Sequence, residues 1–78
     1  MQYQEFLKEM EDILDMPQGS LTGSIVLEEC EAWDSLAMLA FTVMAKERTD
    51  REIPGPLIRS ARTLDDLYAL TVNENDVS

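Results

Sequence analysis

The sequence Trp33-Asp34-Ser35-Leu36 separates a long polar connection from an apolar run that reaches residue 45. Aspartate and serine are common at helix N-termini, where a side-chain oxygen accepts a hydrogen bond from a free backbone N–H. We therefore expect a helix to begin at Ser35. A phosphate esterified to the Ser35 hydroxyl would also lie against the positive end of this helix. The same residues thus allow two roles, a helix cap and an attachment site.

The predicted second helix, at about residues 35–47, is apolar on every side. Its apolar residues fit no single stripe: Leu36, Ala37, Met38, Leu39, Ala40, Phe41, Val43, Met44 and Ala45. Such a helix is either deeply buried or has an exposed face that meets another molecule. Since full burial is hard to arrange in so small a domain, we expect an exposed patch that faces a partner or a ligand.

Upstream of this helix, three- and four-residue spacing of apolar residues predicts a first helix at about residues 2–15, with Phe6, Leu7, Met10, Ile13 and Leu14 on its buried face. Pro17 and Gly19 are expected to stop it. Residues 16–33 form a long connection, and loops of this length in compact domains are often functional. Four apolar residues are expected to pack the connection against the core: Leu21, Ile25, Val26 and Leu27.

Downstream, Pro54 forces Ile53 into an extended conformation, and Ile53 is expected to enter the core. A short helix or turn is predicted at residues 57–61. Thr63, followed by Asp65 and Asp66, is typical of a helix N-cap related to the capping box. The last helix, at 64–70, is expected to bury Leu64, Leu67 and either Leu70 or Tyr68. The sequence therefore predicts an all-α domain at residues 1–71, a small four-helix bundle, followed by a flexible tail at 72–78.

Composition narrows the function. The chain has 78 residues, one cysteine and a net charge of −10. One cysteine allows no internal disulfide, which favours a reducing, cytoplasmic compartment. The acidic balance argues against nucleic acid, which needs clustered Lys and Arg; it favours basic partner proteins, or serves solubility alone. No stretch is long and apolar enough for a membrane span, and the N-terminus does not look like a signal peptide.

Residues for catalysis are scarce. The chain contains no histidine, which removes the commonest general base and metal ligand. Cys30 lies among glutamates with no base to activate it, so we expect a structural thiol. Asp12 and Asp15 are too few for a hard-metal site and are interpreted as solvated. We therefore predict neither an enzyme nor a metal centre.

The Trp33–Leu36 motif, the helix after it and the later Glu52-Ile53-Pro54 resemble the acyl carrier protein family over nearly the whole chain. Members of this family are four-helix domains whose Asp-Ser-Leu serine receives 4′-phosphopantetheine. The resemblance implies a stand-alone, monomeric carrier of acyl or aminoacyl thioesters, with the arm on Ser35 and Leu36 completing the motif. It implies that Asp34 helps to bind Mg²⁺ within the complex with a coenzyme A-dependent phosphopantetheinyl transferase. The other implied partners are an acyl- or aminoacyl-loading ligase and an acyltransferase or ketosynthase.

The chain departs from the family pattern at several positions. Glu31 and Ala32 replace the usual Leu-Gly, and Thr49 replaces an aromatic residue. The second helix has Ala37, Ala40 and Lys46, and the third segment has Arg59 and Arg62, where fatty-acid carriers commonly have acids. These differences favour a dedicated carrier in a specialised biosynthetic pathway over general fatty-acid synthesis.

The predicted partner surface consists of Trp33, Met38, Ala40 and Met44 beside Leu36. Methionines suit an adaptable contact surface. Trp33 is either an aromatic anchor for a partner or a loop residue folded onto the core. Phe41, Val43 and Met44 line either a tight core or a small cargo pocket. The alternative function is an unmodified, carrier-like interaction module that binds a partner through the second helix.

Overall fold

Four helices account for most of the backbone in the computed structural model, which describes residues 1–72. The predicted all-α class is confirmed, since these residues contain no β-strand and only one isolated bridge, between Val26 and Thr63. The predicted tail lies, apart from Val72, outside the described residues. The helices are α1 (Tyr3–Leu14), α2 (Ser35–Thr49), α3 (Gly55–Ser60) and α4 (Leu64–Thr71), with a single 3₁₀ turn at Leu27–Glu29.

Helix α1 turns its apolar face inward, with Phe6, Met10 and Leu14 buried. The helix ends before Pro17, because Asp15 adopts a left-handed conformation with φ of 55°. The neighbouring acid Glu11 is also buried, and its carboxylate accepts a 2.6 Å hydrogen bond from the Gly19 N–H. This bond ties the start of the long connection to α1.

The long connection packs through Leu21 and Leu27, which are buried, while Ile25 is partly buried. The expectation that Val26 packs inward is wrong, since its side chain is 39% exposed. Val26 is extended just before the 3₁₀ turn, and its two neighbours, Ile25 and Leu27, form backbone hydrogen bonds with Leu64 and Arg62 at the start of α4. Side chains alternate along extended backbone, so Val26 points away from the side that buries its two neighbours.

The core lies where α1 crosses α2. The rings of Phe6 and Phe41 are both fully buried and meet edge to face, with centroids 6.5 Å apart. At the surface of the same contact, Arg48 on α2 donates to Glu5 at 3.0 Å and to Glu9 at 3.1 Å on α1. The later segments close the core with side chains that the sequence predicts to be buried: Ile53, Leu64 and Leu67, joined by Ile58.

A glycine seals the contact between the long connection and the two outer helices. The Tyr3 hydroxyl on α1 donates to the Asp65 carboxylate on α4 at 2.8 Å, and this bond raises the pKa of Tyr3. Gly23 lies beneath the pair, and its carbonyl accepts from the Asp65 N–H at 3.0 Å. A Cβ at position 23 would collide with the Tyr3 hydroxyl and the Asp65 carboxylate.

We predict that Gly23→Ala lowers the free energy of unfolding by about 1–3 kcal/mol, because the added methyl group displaces the Tyr3–Asp65 pair. Urea denaturation measures the change. The adjacent variant Ser24→Ala removes an exposed hydroxyl and its 3.2 Å hydrogen bond with the Thr22 hydroxyl, and it should stay within about 0.5 kcal/mol of wild type. Part of the Gly23→Ala cost should disappear in a Tyr3→Phe background; equal stability of wild type and Gly23→Ala would contradict the packing described.

Helix α4 begins with a capping box. The Thr63 hydroxyl accepts from the Asp66 N–H, and the Asp66 carboxylate accepts from the backbone N–H groups of Arg62 and Thr63 at 3.0 and 3.2 Å. These backbone hydrogen bonds, first that of Arg62 and then that of Thr63, hold the pKa of Asp66 below its ordinary value.

Because the pKa of Asp66 is lower in the folded chain, its ionised form stabilises the fold above the unfolded pKa of 3.8. This stabilisation is lost as the pH falls through the lower, folded pKa. We therefore expect Asp66→Asn to reduce stability at pH 7, and the difference from wild type to shrink below pH 4. Denaturation midpoints measured between pH 7 and pH 3 test this, and exposed Asp12→Asn, which removes a carboxylate outside the capping box, is the matched control. A difference that does not change with pH would contradict it.

Candidate functional site

The helix start at Ser35 is built by the residue before it. Asp34 has an extended backbone, and its carboxylate accepts a 2.9 Å hydrogen bond from the Ala37 N–H. Asp34 is therefore the N-cap, and Ser35 is the first helical residue. Of the two candidate cap residues in the motif, the aspartate takes the role.

Because Asp34 provides the cap, the Ser35 side chain is not needed for it. Ser35 is exposed, and within residues 1–72 its hydroxyl has no hydrogen-bond partner. The next residue, Leu36, is 75% exposed. Position 35 thus presents a reachable hydroxyl at the positive end of a 15-residue helix, where a phosphate is electrostatically favoured.

The predicted partner surface is only partly at the surface. Trp33 is half-buried, with its ring edge-on to Phe41 at a centroid distance of 6.3 Å, and it packs against the core. Met38 and Ala40 are partly exposed. Met44 is 6% exposed, so placing it on a partner surface is wrong; it lies on the face of α2 that turns toward α1 with Phe41 and forms core.

Two exposed residues were missing from the predicted surface. Leu39 is 60% exposed and Val43 is 51% exposed, and with Leu36 they form a stripe along the outer side of α2. Leu39 follows Leu36 by three residues, and Val43 follows Leu39 by four. This helical spacing is the signal that could have identified them. We call Leu36, Leu39 and Val43 the α2 stripe.

The α2 stripe ends beside a shallow apolar groove. Val43 and Thr42 form one side of the groove, and Ile53 and Pro54 form the other, around a volume of about 490 Å³. Charged residues border it at Lys46, Glu47 and Glu52. Phe41, Val43 and Met44 are the three residues that the sequence suggests for a tight core or a cargo pocket. Phe41 and Met44 are buried in the core, and Val43 lines this groove.

A second groove, of about 360 Å³, lies between the start of α2, residues 26–28 and residues 59–62. Trp33 and Met38 line one wall, and Arg59 and Arg62 line the other. We call it the arginine groove. Met38, which lines the groove, is three residues after Ser35 in α2, less than one helical turn along the chain.

In residues 1–72, no three His, Cys, Asp or Glu side chains come close enough to hold a metal ion. No helix among the same residues has the length and apolar character to cross a bilayer. Cys30 is partly buried against the core, and Asp12 and Asp15 are exposed on α1 and at its end.

Comparison with protein-family models, with curated proteins and with solved structures finds no match to this chain. The resemblance to the acyl carrier protein family therefore rests on the residues themselves, above all on Asp34, Ser35 and the Ile53-Pro54 pair. It remains a prediction.

We predict that Asp34→Ala lowers the free energy of unfolding by about 1 kcal/mol, because the Ala37 N–H loses its acceptor. Asp34→Asn keeps an acceptor at the cap and should stay close to wild type. Ser35→Ala should change stability by less than about 0.5 kcal/mol, since no bond is lost. Urea denaturation of the three variants measures the differences. A Ser35→Ala cost as large as that of Asp34→Ala would show that Ser35 is a structural cap.

Proposed function

We propose that this chain is a carrier protein that bears a 4′-phosphopantetheine arm on Ser35 and presents thioester-bound intermediates to a specialised biosynthetic pathway in the cytoplasm. The observation that carries the proposal is the exposed Ser35 hydroxyl at the start of α2, which has no hydrogen-bond partner within residues 1–72, while Asp34 fills the capping role. Modification of a serine that caps a helix would remove the capping bond. Modification of Ser35 leaves the capping bond to Asp34 in place.

The surroundings of Ser35 fit the group. The phosphodiester would sit beside the free N–H groups of the first turn of α2, which favour an anion. When attached, the arm supplies a terminal thiol that carries acyl groups as thioesters. In the attachment step, Ser35 Oγ forms a bond to the β-phosphorus of coenzyme A. The pyrophosphate bond breaks, 3′,5′-ADP leaves, and the serine proton passes to a base of the transferase.

Asp34 has a second use in this proposal. Its Oδ1 accepts the bond from Ala37, and within residues 1–72 Oδ2 of this exposed residue has no hydrogen-bond partner. A carboxylate oxygen at this place suits the Mg²⁺ that the phosphopantetheinyl transferase employs, in line with the family resemblance. The proposed partners are this transferase, an acyl- or aminoacyl-loading ligase, and an acyltransferase or ketosynthase.

The arrangement of the helices supports the same proposal. A long first connection, a short α3 and a threonine-capped α4 occur in the order that the family resemblance implies for a four-helix carrier. The described fold places no side chain over Ser35, and the exposed α2 stripe beside it offers enzymes an apolar surface to hold.

The test is intact-mass analysis after incubation with coenzyme A, Mg²⁺ and broad-specificity phosphopantetheinyl transferases. We expect the protein to gain the mass of one phosphopantetheine group. Ser35→Ala should abolish the gain, while Ser24→Ala, which removes another exposed serine, should retain it. Asp34→Asn should fold normally but react more slowly, because it keeps the cap and loses the negative charge. A folded wild-type protein that stays unmodified with several transferases would refute the proposal.

The second candidate is an interaction module that is never modified. The α2 stripe favours it, because three adjacent apolar side chains on one helix are more than half exposed. This candidate predicts no mass gain, and a stoichiometric partner whose binding survives Ser35→Ala but is weakened by Leu39→Ser. A mass gain at Ser35 decides for the carrier.

A further inference from the structure

The α2 stripe holds the three most exposed large apolar side chains of residues 1–72, and each of them is more than half exposed. No charged residue occurs between Asp34 and Lys46, although charged residues make up 28% of the chain. The outer side of α2 is therefore an uncharged apolar strip on a protein whose net charge is −10. The strip itself offers no acid to a basic partner, and it suits a second surface that is also apolar and uncharged.

The shallow apolar groove at the end of the stripe has a shape that the stripe can fill. Val43, Ile53 and Pro54 give this groove its apolar lining. Leu39 lies one helical turn before Val43 and projects into solvent. The face thus carries protruding leucines toward one end of α2 and an apolar recess toward the other. A two-fold axis between them would bring the leucines of each copy to the recess of the other, and a symmetric dimer needs this kind of self-complementary surface.

We propose that a second copy of this chain covers the α2 stripe, in a weak antiparallel dimer that dissociates when the arm is attached to Ser35. In this dimer Leu39 of each copy lies opposite Val43 of the other, beside the groove. Leu36 then lies opposite Lys46, whose methylene groups can cover it. Three side chains and a shallow groove make a small interface, so the dimer is weak. The effect of the arm rests on the proposed function, whereas the dimer itself does not.

Charge accounts for the effect of the arm. When Leu39 lies opposite Val43, Ser35 lies opposite Glu47 of the other copy. In the unmodified chain Glu47 then meets the positive end of α2, where a carboxylate is favoured. A phosphodiester on Ser35 brings a second negative charge to that contact, and each dimer contains the contact twice. Glu52 at the border of the groove adds to this repulsion, and Lys46 at the same border reduces it.

Sedimentation velocity of the unmodified protein, at concentrations from about 5 to 500 µM, tests the dimer. We expect a monomer–dimer equilibrium that added NaCl shifts toward the dimer, because salt screens the repulsion between two acidic copies. Leu39→Ser should raise the dissociation constant about ten-fold or more, since each dimer loses two buried leucines. Met16→Ser removes an exposed apolar side chain that follows α1 and should leave the constant unchanged. A chain that stays monomeric throughout, or a dimer that Leu39→Ser does not weaken, would refute the proposal.

A pair of charge changes tests the antiparallel register. Positions 35 and 47 are about 18 Å apart along α2, so their charges interact weakly within one copy. Ser35→Glu should weaken the dimer several-fold, and Glu47→Lys added to it should restore dimerisation. Glu29→Lys changes the net charge equally but lies outside α2, so it should restore much less. Equal restoration by both lysines, or by neither, would show that positions 35 and 47 do not meet between copies.

The modified protein tests the effect of the arm. After the transferase reaction, with intact mass to verify complete modification, we expect the dissociation constant to rise at least ten-fold. An unchanged constant would overturn the proposed effect of the arm. If no arm attaches to Ser35, the carrier proposal and this effect fail together. The dimer is then decided by the unmodified chain alone, through Leu39→Ser and the charge pair, which need no arm.

Discussion

The hydrogen bond from the Ala37 N–H to the Asp34 carboxylate fixes where α2 begins, and the rest of the structure follows from that start. A helix turns by a fixed amount per residue, so residues three and four apart share a face, and packing against α1 selects the face that turns inward. With Ser35 as the first residue, Ala37, Phe41 and Ala45 point into the core. Leu36 and Leu39 face outward, and among residues 1–72 nothing hydrogen-bonds to the Ser35 hydroxyl at the helix tip. The cap thus fixes the candidate site at the helix tip, and the packed face of the same helix contributes to the core.

The core is small and is closed by bonds between segments far apart in sequence. Few residues separate the buried Phe6–Phe41 contact from solvent, and three polar contacts hold the surrounding elements in place. Glu11 holds the Gly19 turn, Arg48 joins α2 to α1, and Tyr3 joins α1 to α4 across Gly23. Each of these bonds lies at the edge of the apolar core. The contacts at Gly19 and Gly23 hold the long connection in place, because its buried apolar residues cover only part of its length.

The sequence predicted the helices well because each carries a local signal. Spacing defines α1, Asp34 and Ser35 mark the start of α2, and Thr63 starts α4 through its capping box. The phase of α2 could not be predicted, since apolar residues occur all around it and periodicity does not distinguish Met44 from Leu39. The 3₁₀ turn and the outward direction of Val26 depend on pairing with residues 62–64, which the local pattern does not contain. The free Ser35 hydroxyl was anticipated, but the arginine groove depends on how α3 sits beside α2.

Trp33 is the single tryptophan of the chain, and it lies two residues from Ser35, with its ring against Phe41 and its edge in the arginine groove. Its indole is partly buried and partly open to solvent. Intrinsic fluorescence of this protein therefore originates from one place, next to the candidate attachment point. Emission wavelength and quenching by acrylamide report on that place without a label, and the native protein carries its own optical probe.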